Sequence, residues 1–306
     1  MSAEGPSRGA NCAPAGGSEA AKLQAWGGHM TSMVDEQAPR LSATVDTGAA
    51  RGVRTREAMS RFMPAFALFV GVVLVWEGVS RIFKLPEFVL PPPTAIIVAL
   101  IAHQRELGYA AYVTAREVLW GFLLSGVIGA GVALVIARFA TFGRALYPLV
   151  VLFQNVPKVA LAPLFILWFG FDLAPKVVLI VVIAFFPVAI NMLVGLQTVD
   201  SNLIALMRSV GATRNEILRR IQIPNSLPYL MAGLKVAITL AVIGAIVGEF
   251  AGAQAGLGYM IQFASTQMQT SLVFAALVEV SVLGMLFYYI IEWIEQRYIV
   301  WMPEAA

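Results

Sequence analysis

Six stretches of the chain are almost unbroken runs of apolar side chains: residues 62–83, 117–137, 146–169, 174–197, 227–250 and 271–294. Each is close to the roughly 20 residues that a helix needs to cross a hydrocarbon layer about 30 Å thick. No stretch shows the strict apolar-polar alternation of a half-buried strand. The pattern predicts an all-α, polytopic membrane protein with six transmembrane helices over residues 61–298. Residues 1–60 are polar, rich in Gly, Ala and Ser, and lack hydrophobic periodicity, which predicts a disordered tail. No apolar run follows the start, so a signal peptide is not expected, and Met30 and Met33 offer alternative starts. Residues 299–306 form a short C-terminal tail. Between the first two spans lies "LPEFVLPPPTAIIVALIAHQRELGYAAYVTAR". Its proline run should stop the first helix, and Thr94 is placed to cap a short interfacial helix.

Composition removes the soluble alternative. The 306 residues are 59% hydrophobic and 13% charged, with mean hydropathy +0.78, whereas soluble domains carry about 25% charged residues. Cys12 is the single cysteine, and the two histidines, His29 and His103, are far apart. Neither a disulfide nor a metal site is expected. Basic residues cluster beside apolar runs, so membrane orientation rather than nucleic-acid binding explains the net charge of +3. With the N-terminus inside, the inner flanks hold eleven basic residues: Arg51, Arg54, Arg56, Arg61, Arg138, Arg144, Arg208, Arg214, Arg219, Arg220 and Arg297. The outer flanks hold five: Arg81, Lys84, Arg105, Arg116 and Lys176. This asymmetry predicts that both termini are cytoplasmic.

Lipid gives apolar helices no drive to associate, so small residues must allow close packing. Gly121, Ser125, Gly129 and Ala133 recur every four residues in the second span, and Gly244, Gly248 and Gly252 do so at the fifth. Tight helix interfaces are expected along both rows, with partners that the sequence does not name. The third span contains Pro148, Pro157 and Pro163, which predicts a broken helix facing protein or a water-filled cavity. Beside these prolines lie Gln154, Asn155 and Lys158. A lysine at mid-membrane is costly and needs a cavity or a partner. Two readings stand: "QNVPK" lines a solute path, or Lys158 pairs with Glu279 of the sixth span. Glu77 and Glu249 sit nearer span ends and are expected at the interface.

One segment breaks the apolar pattern. "RSVGATRNEILRRIQIPNSLP", from Arg208 to Pro228, holds four arginines between two spans. Within the cytoplasmic connection 200–226, Leu203, Leu206, Met207 and Val210 recur at helical spacing. Ile217, Leu218 and Ile221 form a second short stripe. Gly211 permits a bend, Thr213 and Glu216 have capping-box spacing, and Pro224 is positioned to end the second piece. The elements read as a paired helical elbow offering an apolar ridge and a basic rim to a cytoplasmic partner.

This segment resembles the cytoplasmic loop of ABC-importer permeases, in which a glycine is followed by nine residues and then I-x-L-P. Here Gly211 precedes "IQIP" at that spacing, with Ile223 in the leucine place and Ala205, Leu206 and Met207 where Glu-Ala-Ala stands in the family. "WEGVSRIFKLPEFVLPPPTAI", "VPKVALAPLFILWFGF" and "GLGYMI" are similar to the branch that imports nitrate, sulfonates, taurine, pyrimidine precursors or riboflavin.

The resemblance implies the type I, MetI-like permease fold and a bacterial inner-membrane location. It also implies a second permease copy, a separate ABC ATPase subunit and a periplasmic or lipid-anchored solute-binding protein. Arg208, Gly211, Ala212, Thr213, Arg214, Glu216, Ile221 and Pro224 would form the ATPase-coupling element. Gln154, Asn155, Lys158 and Glu279 are the candidate path residues. There is no GxxxxGK[ST] loop, so ATP is expected to be used by the partner and no cofactor by this chain. A secondary carrier or channel would show inverted repeats with matching broken helices. An enzyme would need a clustered acid-base or nucleophilic set. Neither pattern is visible.

Overall fold

Every regular element is helical in the computed structural model, which describes residues 47–139, 148 and 152–299, with side chains from Met63 onward. The chain divides into two units, Met1–Phe69 and Val70–Ala306. In the first unit, helix α1 (Thr47–Ile82) is already formed at Thr47. The disorder expected up to residue 60 therefore stops short of that point. From Thr47 to Met63 the sequence has no proline and holds four Arg, three Ala and two Met, all good helix formers. The rest of the expected tail lies outside the described residues.

The second unit continues with α2 (Pro93–Ala102), α3 (Gln104–Arg138), a 3₁₀ turn (Lys158–Leu161), α4 (Ala162–Phe169) and α5 (Leu173–Gln197). It then runs through α6 (Ser201–Ser209), α7 (Arg214–Ile217), a π-helical turn (Leu218–Gln222), α8 (Ile223–Gly252), α9 (Leu257–Thr266) and α10 (Thr270–Tyr298). Five helical stretches among the described residues are long and apolar enough to cross a membrane. The expected third span, 146–169, lies partly outside those residues. Its described part is interrupted at residues 155–157 and resumes as the 3₁₀ turn and α4. Pro157 precedes the turn and Pro163 stands in the first turn of α4, where a missing N–H leaves no internal bond unmade. The break therefore follows from the proline spacing.

α5 is the centre of the packing. The α3 row of Gly121, Ser125, Gly129 and Ala133 is buried and lies on α5. A Cβ at Gly121 would fall 2.4 Å from Ile180, and one at Gly129 would fall 2.8 Å from Val188. Gly244 and Gly248 of α8 approach Ile180, Ile183 and Lys176 of the same helix. α5 is thus held between two small-residue faces, which brings Val118, Ile180, Ala184, Val188, Ala237 and Ala241 into one core. Gly252 departs from its row and faces Ile166 of α4 and Phe171. A second core, at the other end of the helices, joins α2, α3, α9 and α10 through Ile96, Leu107, Leu257, Ile261, Ala275 and Ala276. Outside the cores, Leu74, Ile82, Leu123, Val127, Leu286 and Trp293 remain exposed, as lipid-facing side chains do.

The first connection is built differently from the expected cap. Pro92 is the N-cap of α2 and makes no side-chain bond. Thr94 donates both its N–H (3.1 Å) and its hydroxyl (2.9 Å) to Glu77. Glu77 thus caps α2 from the end of α1, where its carboxylate complements the partial positive charge of the free N–H groups. An acid remote in sequence has displaced the local threonine.

Candidate functional site

The elbow between α5 and α8 is ordered by local capping and by clamps to the spans. Asp200 caps α6, accepting from the Asn202 N–H at 2.8 Å. The turn after α6 places Gly211 at φ 80°, a conformation open to glycine at no steric cost. Thr213 then starts α7 with a full capping box. The Glu216 N–H donates to Thr213 Oγ1 at 3.3 Å, and the Thr213 N–H donates to Glu216 Oε2 at 2.8 Å. Replacing Thr213 by Ala should remove about 1 kcal/mol from this turn, a factor of about five in local opening. Faster amide hydrogen exchange over residues 213–217, with unchanged exchange in α5, is the expected readout.

Three side-chain bonds fasten the elbow. Arg214 donates to the Ala137 carbonyl at the end of α3 (3.1 Å), Gln222 to the Leu196 carbonyl (3.0 Å) and Asn225 to the Gly195 carbonyl (2.9 Å). The last turns of α3 and α5 expose carbonyls with no partner in their own helix, and the elbow supplies donors for them. The elbow is therefore tied directly to two spans. Gln222 and Asn225 were not singled out by sequence. Their role depends on a helix end about 30 residues away in the chain, and only their polarity inside an otherwise apolar approach hinted at it.

A cavity of about 370 Å³ opens here, lined by Ala137, Ile204, Arg208, Ala212, Arg214, Ile217 and Gln222. Arg208, Gly211, Thr213, Arg214 and Glu216 are exposed, while Ala212, Ile221 and Pro224 are half-buried. Leu203, Leu206 and Val210 form an exposed apolar ridge on α6 and its turn. The second stripe turns inward instead. Ile217 is buried, and Leu218 packs with Leu193, Leu196 and Ile223. Pro224 does not end the second piece: it occupies the first turn of α8, and the π-helical turn carries the chain into that span. Pro224 has no N–H to donate to the turn before it, and the wider π-helical turn carries the chain past that missing bond.

The structure brings Gln154 and Lys158 together. The Lys158 ammonium donates to the Gln154 carbonyl at 2.8 Å and lies 4.5 Å from the centre of the Phe186 ring. Gln154 and Asn155 are exposed. Glu279 stands on α10 and makes no ion pair with Lys158. The lysine instead uses a carbonyl and an aromatic face, which stabilise a cation without placing a second charge in the membrane.

The larger surprise is a charged centre near the beginning of α5. Lys176 donates to Glu117 Oε1 at 2.6 Å, and both side chains are buried. Glu249, expected at the interface, is fully buried. It accepts from the Thr114 hydroxyl at 2.6 Å and from the Gly258 N–H at 2.5 Å. The Leu257 N–H donates in turn to Thr114 Oγ1 at 2.9 Å. The centre ties α9 to α3 and α8, which explains the glycines of "GLGYMI": a Cβ at Gly256 or Gly258 would overlap the Glu249 carboxyl. Sequence reasoning counted Lys176 as an outer flanking charge because its partners lie 59 or more residues away. Charges inside apolar stretches were the available signal.

With this geometry in view, the comparisons are direct. Residues 125–300 match the family described as "Binding-protein-dependent transport system inner membrane component". A probable ABC transporter permease protein of Haemophilus influenzae is 34% identical over 76% of this chain and 95% of its own length. The formylaminopyrimidine transport permease ThiX of Halalkalibacterium halodurans is 35% identical over 76% and 93%. The putative aliphatic sulfonates transport permease SsuC of Bacillus subtilis is 32% identical over 82% and 93%. Among solved structures, the inward-facing MetNI methionine ABC transporter aligns with TM-score 0.57 over 64% of this chain and 97% of that one, at 20% identity. That likeness concerns the fold. The chain belongs to the family of binding-protein-dependent inner-membrane transport components, and it is a multi-pass ABC importer permease.

Proposed function

We propose that this chain forms the membrane path for a small solute of the sulfonate, nitrate, taurine, pyrimidine-precursor or vitamin-precursor kind. In this reading a solute-binding protein delivers the solute at the outer face, and a separate ATPase subunit drives import from the cytoplasmic face. Two copies of the chain make the path, both termini lie in the cytoplasm, and surrounding lipid covers the exposed apolar faces. Residues 61–298 are the permease domain and residues 200–226 its coupling loop. The chain itself hydrolyses nothing and binds no cofactor, since ATP is used by the ATPase partner. Gln154, Asn155 and Lys158 line the path.

The observation that carries this reading is the elbow. Its ridge of Leu203, Leu206 and Val210 is left exposed by the described residues, and its base is fastened to the carbonyl ends of α3 and α5. A partner that grips the ridge moves two spans together. The eleven-to-five basic asymmetry supports a cytoplasmic position for this surface. The relatives' names, which include sulfonate and formylaminopyrimidine transport, support the solute class.

Gly211→Val tests the coupling. No atom outside its chain neighbours lies within 4 Å of a Cβ there, so the fold is expected to survive. A β-branched residue at φ 80° costs about 1–3 kcal/mol, enough to shift the elbow's working conformation by about fivefold to 150-fold. ATP-driven uptake by the reconstituted complex should fall by about that factor, and co-purification with the ATPase subunit should weaken, while the chain still folds with its melting temperature lowered by only a few degrees. Uptake by the purified chain alone in ATP-free liposomes would overturn the proposal.

A further inference from the structure

The cavity at the elbow holds positive charge with nothing to balance it. Arg208, at the end of α6, and Arg214, at the start of α7, both line it. A guanidinium is not deprotonated in proteins, so two cations share a space of about 370 Å³. Among the described residues no acid lines that space. The elbow's own two acids are engaged elsewhere: Asp200 caps the far end of α6, and Glu216 closes the capping box with Thr213. The Arg208 side chain makes no hydrogen bond or ion pair with any described residue. The other donors are anchored. Arg214 spends one N–H₂ group on the Ala137 carbonyl at 3.1 Å, and Gln222 donates from Nε2 to the Leu196 carbonyl at 3.0 Å. Each keeps further hydrogens beyond those bonds. Two anchored donors and one unpaired guanidinium lining one cavity are the donor set that phosphate oxygens take.

Position narrows the source of the anion. Ala137 is in the last turn of α3, where that span ends, so the cavity lies at the depth of the lipid headgroups. Val135 and Phe139, on either side of Ala137 in the chain, are apolar and exposed, a surface suited to acyl chains. We propose that this cavity binds the phosphate of an anionic phospholipid, held between the Arg208 and Arg214 guanidiniums with Gln222 as a third donor. The choice of leaflet, the inner one, rests on the cytoplasmic reading of the elbow given above, and the site itself does not. Arg208 and Arg214 stand on the two sides of the Gly211 bend. One phosphate bonded to both joins α6 to α7 and offsets the repulsion between the two cations. The lipid is then a structural ligand of the elbow, fixing the bend while Arg214 keeps α7 on the end of α3.

Native mass spectrometry of the full chain, purified in detergent and titrated with phosphatidylglycerol, tests the site. Arg208→Gln removes one charge and no bond of the fold, so its melting temperature in lipid-free detergent should match wild type. Its affinity for the lipid should fall by about tenfold, the effect of losing one charge-assisted contact. Arg219→Gln removes one charge from the same elbow but outside the cavity, and should stay within about twofold of wild type. Equal losses in the two variants would overturn the proposal, because diffuse basic charge would then gather the lipid. No loss in Arg208→Gln would overturn it as well. Displacement of the lipid by inorganic phosphate at equal concentration would assign the cavity to a soluble anion. Displacement by the ATPase subunit would assign it to an acidic side chain of that partner, and either result overturns the lipid assignment. Lipid retention is read on the chain without ATPase or solute, so its failure is distinct from a failure of the import reading.

Discussion

Replacing Lys176 by Met lowers the stability of this protein by about 3–5 kcal/mol, the cost of leaving a buried charge without its partner. The ammonium is the cation of a centre that otherwise contains only the acids Glu117 and Glu249. Methionine keeps a stem of similar length, so the packing of this stem against Gly248, where an added Cβ would lie 3.4 Å from Lys176 Cγ, is largely retained. What is lost is electrostatic. Lys235 provides the comparison: it bridges Glu292 and Glu295 of α10 but is 21% exposed. Lys235→Met should cost only about 1 kcal/mol or less, as partly exposed pairs do. Thermal unfolding of both variants in nanodiscs checks the contrast. Equal shifts would mean that burial does not set the strength of these pairs.

Gly233→Val should destabilise by about 3 kcal/mol and reduce the yield of folded protein. A Cβ at this position would lie 2.9 Å from the Pro187 carbonyl oxygen, 3.0 Å from Asn191 Cβ and 3.2 Å from Val188 Cα. Two of those atoms are backbone and cannot rotate aside. α8 would have to separate from α5, opening the core around Val188, Ala237 and Ala241. Gly131→Val tests the mechanism, since no atom lies within 4 Å of a Cβ there. It should fall within about 0.5 kcal/mol of wild type. Similar losses at both positions would trace the effect to helix propensity rather than to contact between helices.

The two small-residue rows show how far periodicity reaches. Four-residue spacing places Gly121, Gly129 and their companions on one face, but spacing has no information about what that face meets. The structure puts α5 against both rows. The Thr213–Glu216 capping box was legible because its partners are three residues apart, and its bonds depend on one turn of backbone. The capping of α2 was misread for the complementary reason. Glu77 is 17 residues away from Thr94, and a connection that folds back on itself brings in the stronger acceptor. Glu249 was misread in the same way. Position near a span end suggested the interface, whereas the approach of α9 covers it.

The sequence by itself determined which segments enter lipid, where the elbow bends and starts its second helix, and where the third apolar stretch must break. These are local properties: transfer of apolar side chains sums along one segment, and a cap or a proline acts within a turn. Only the tertiary structure decided that α5 is the common partner of α3 and α8, and that Glu117, Lys176 and Glu249 meet. A buried charge takes its energy from whichever groups the packing brings within hydrogen-bond distance. Here those groups come from three helices, with 59 residues separating even the Glu117–Lys176 pair.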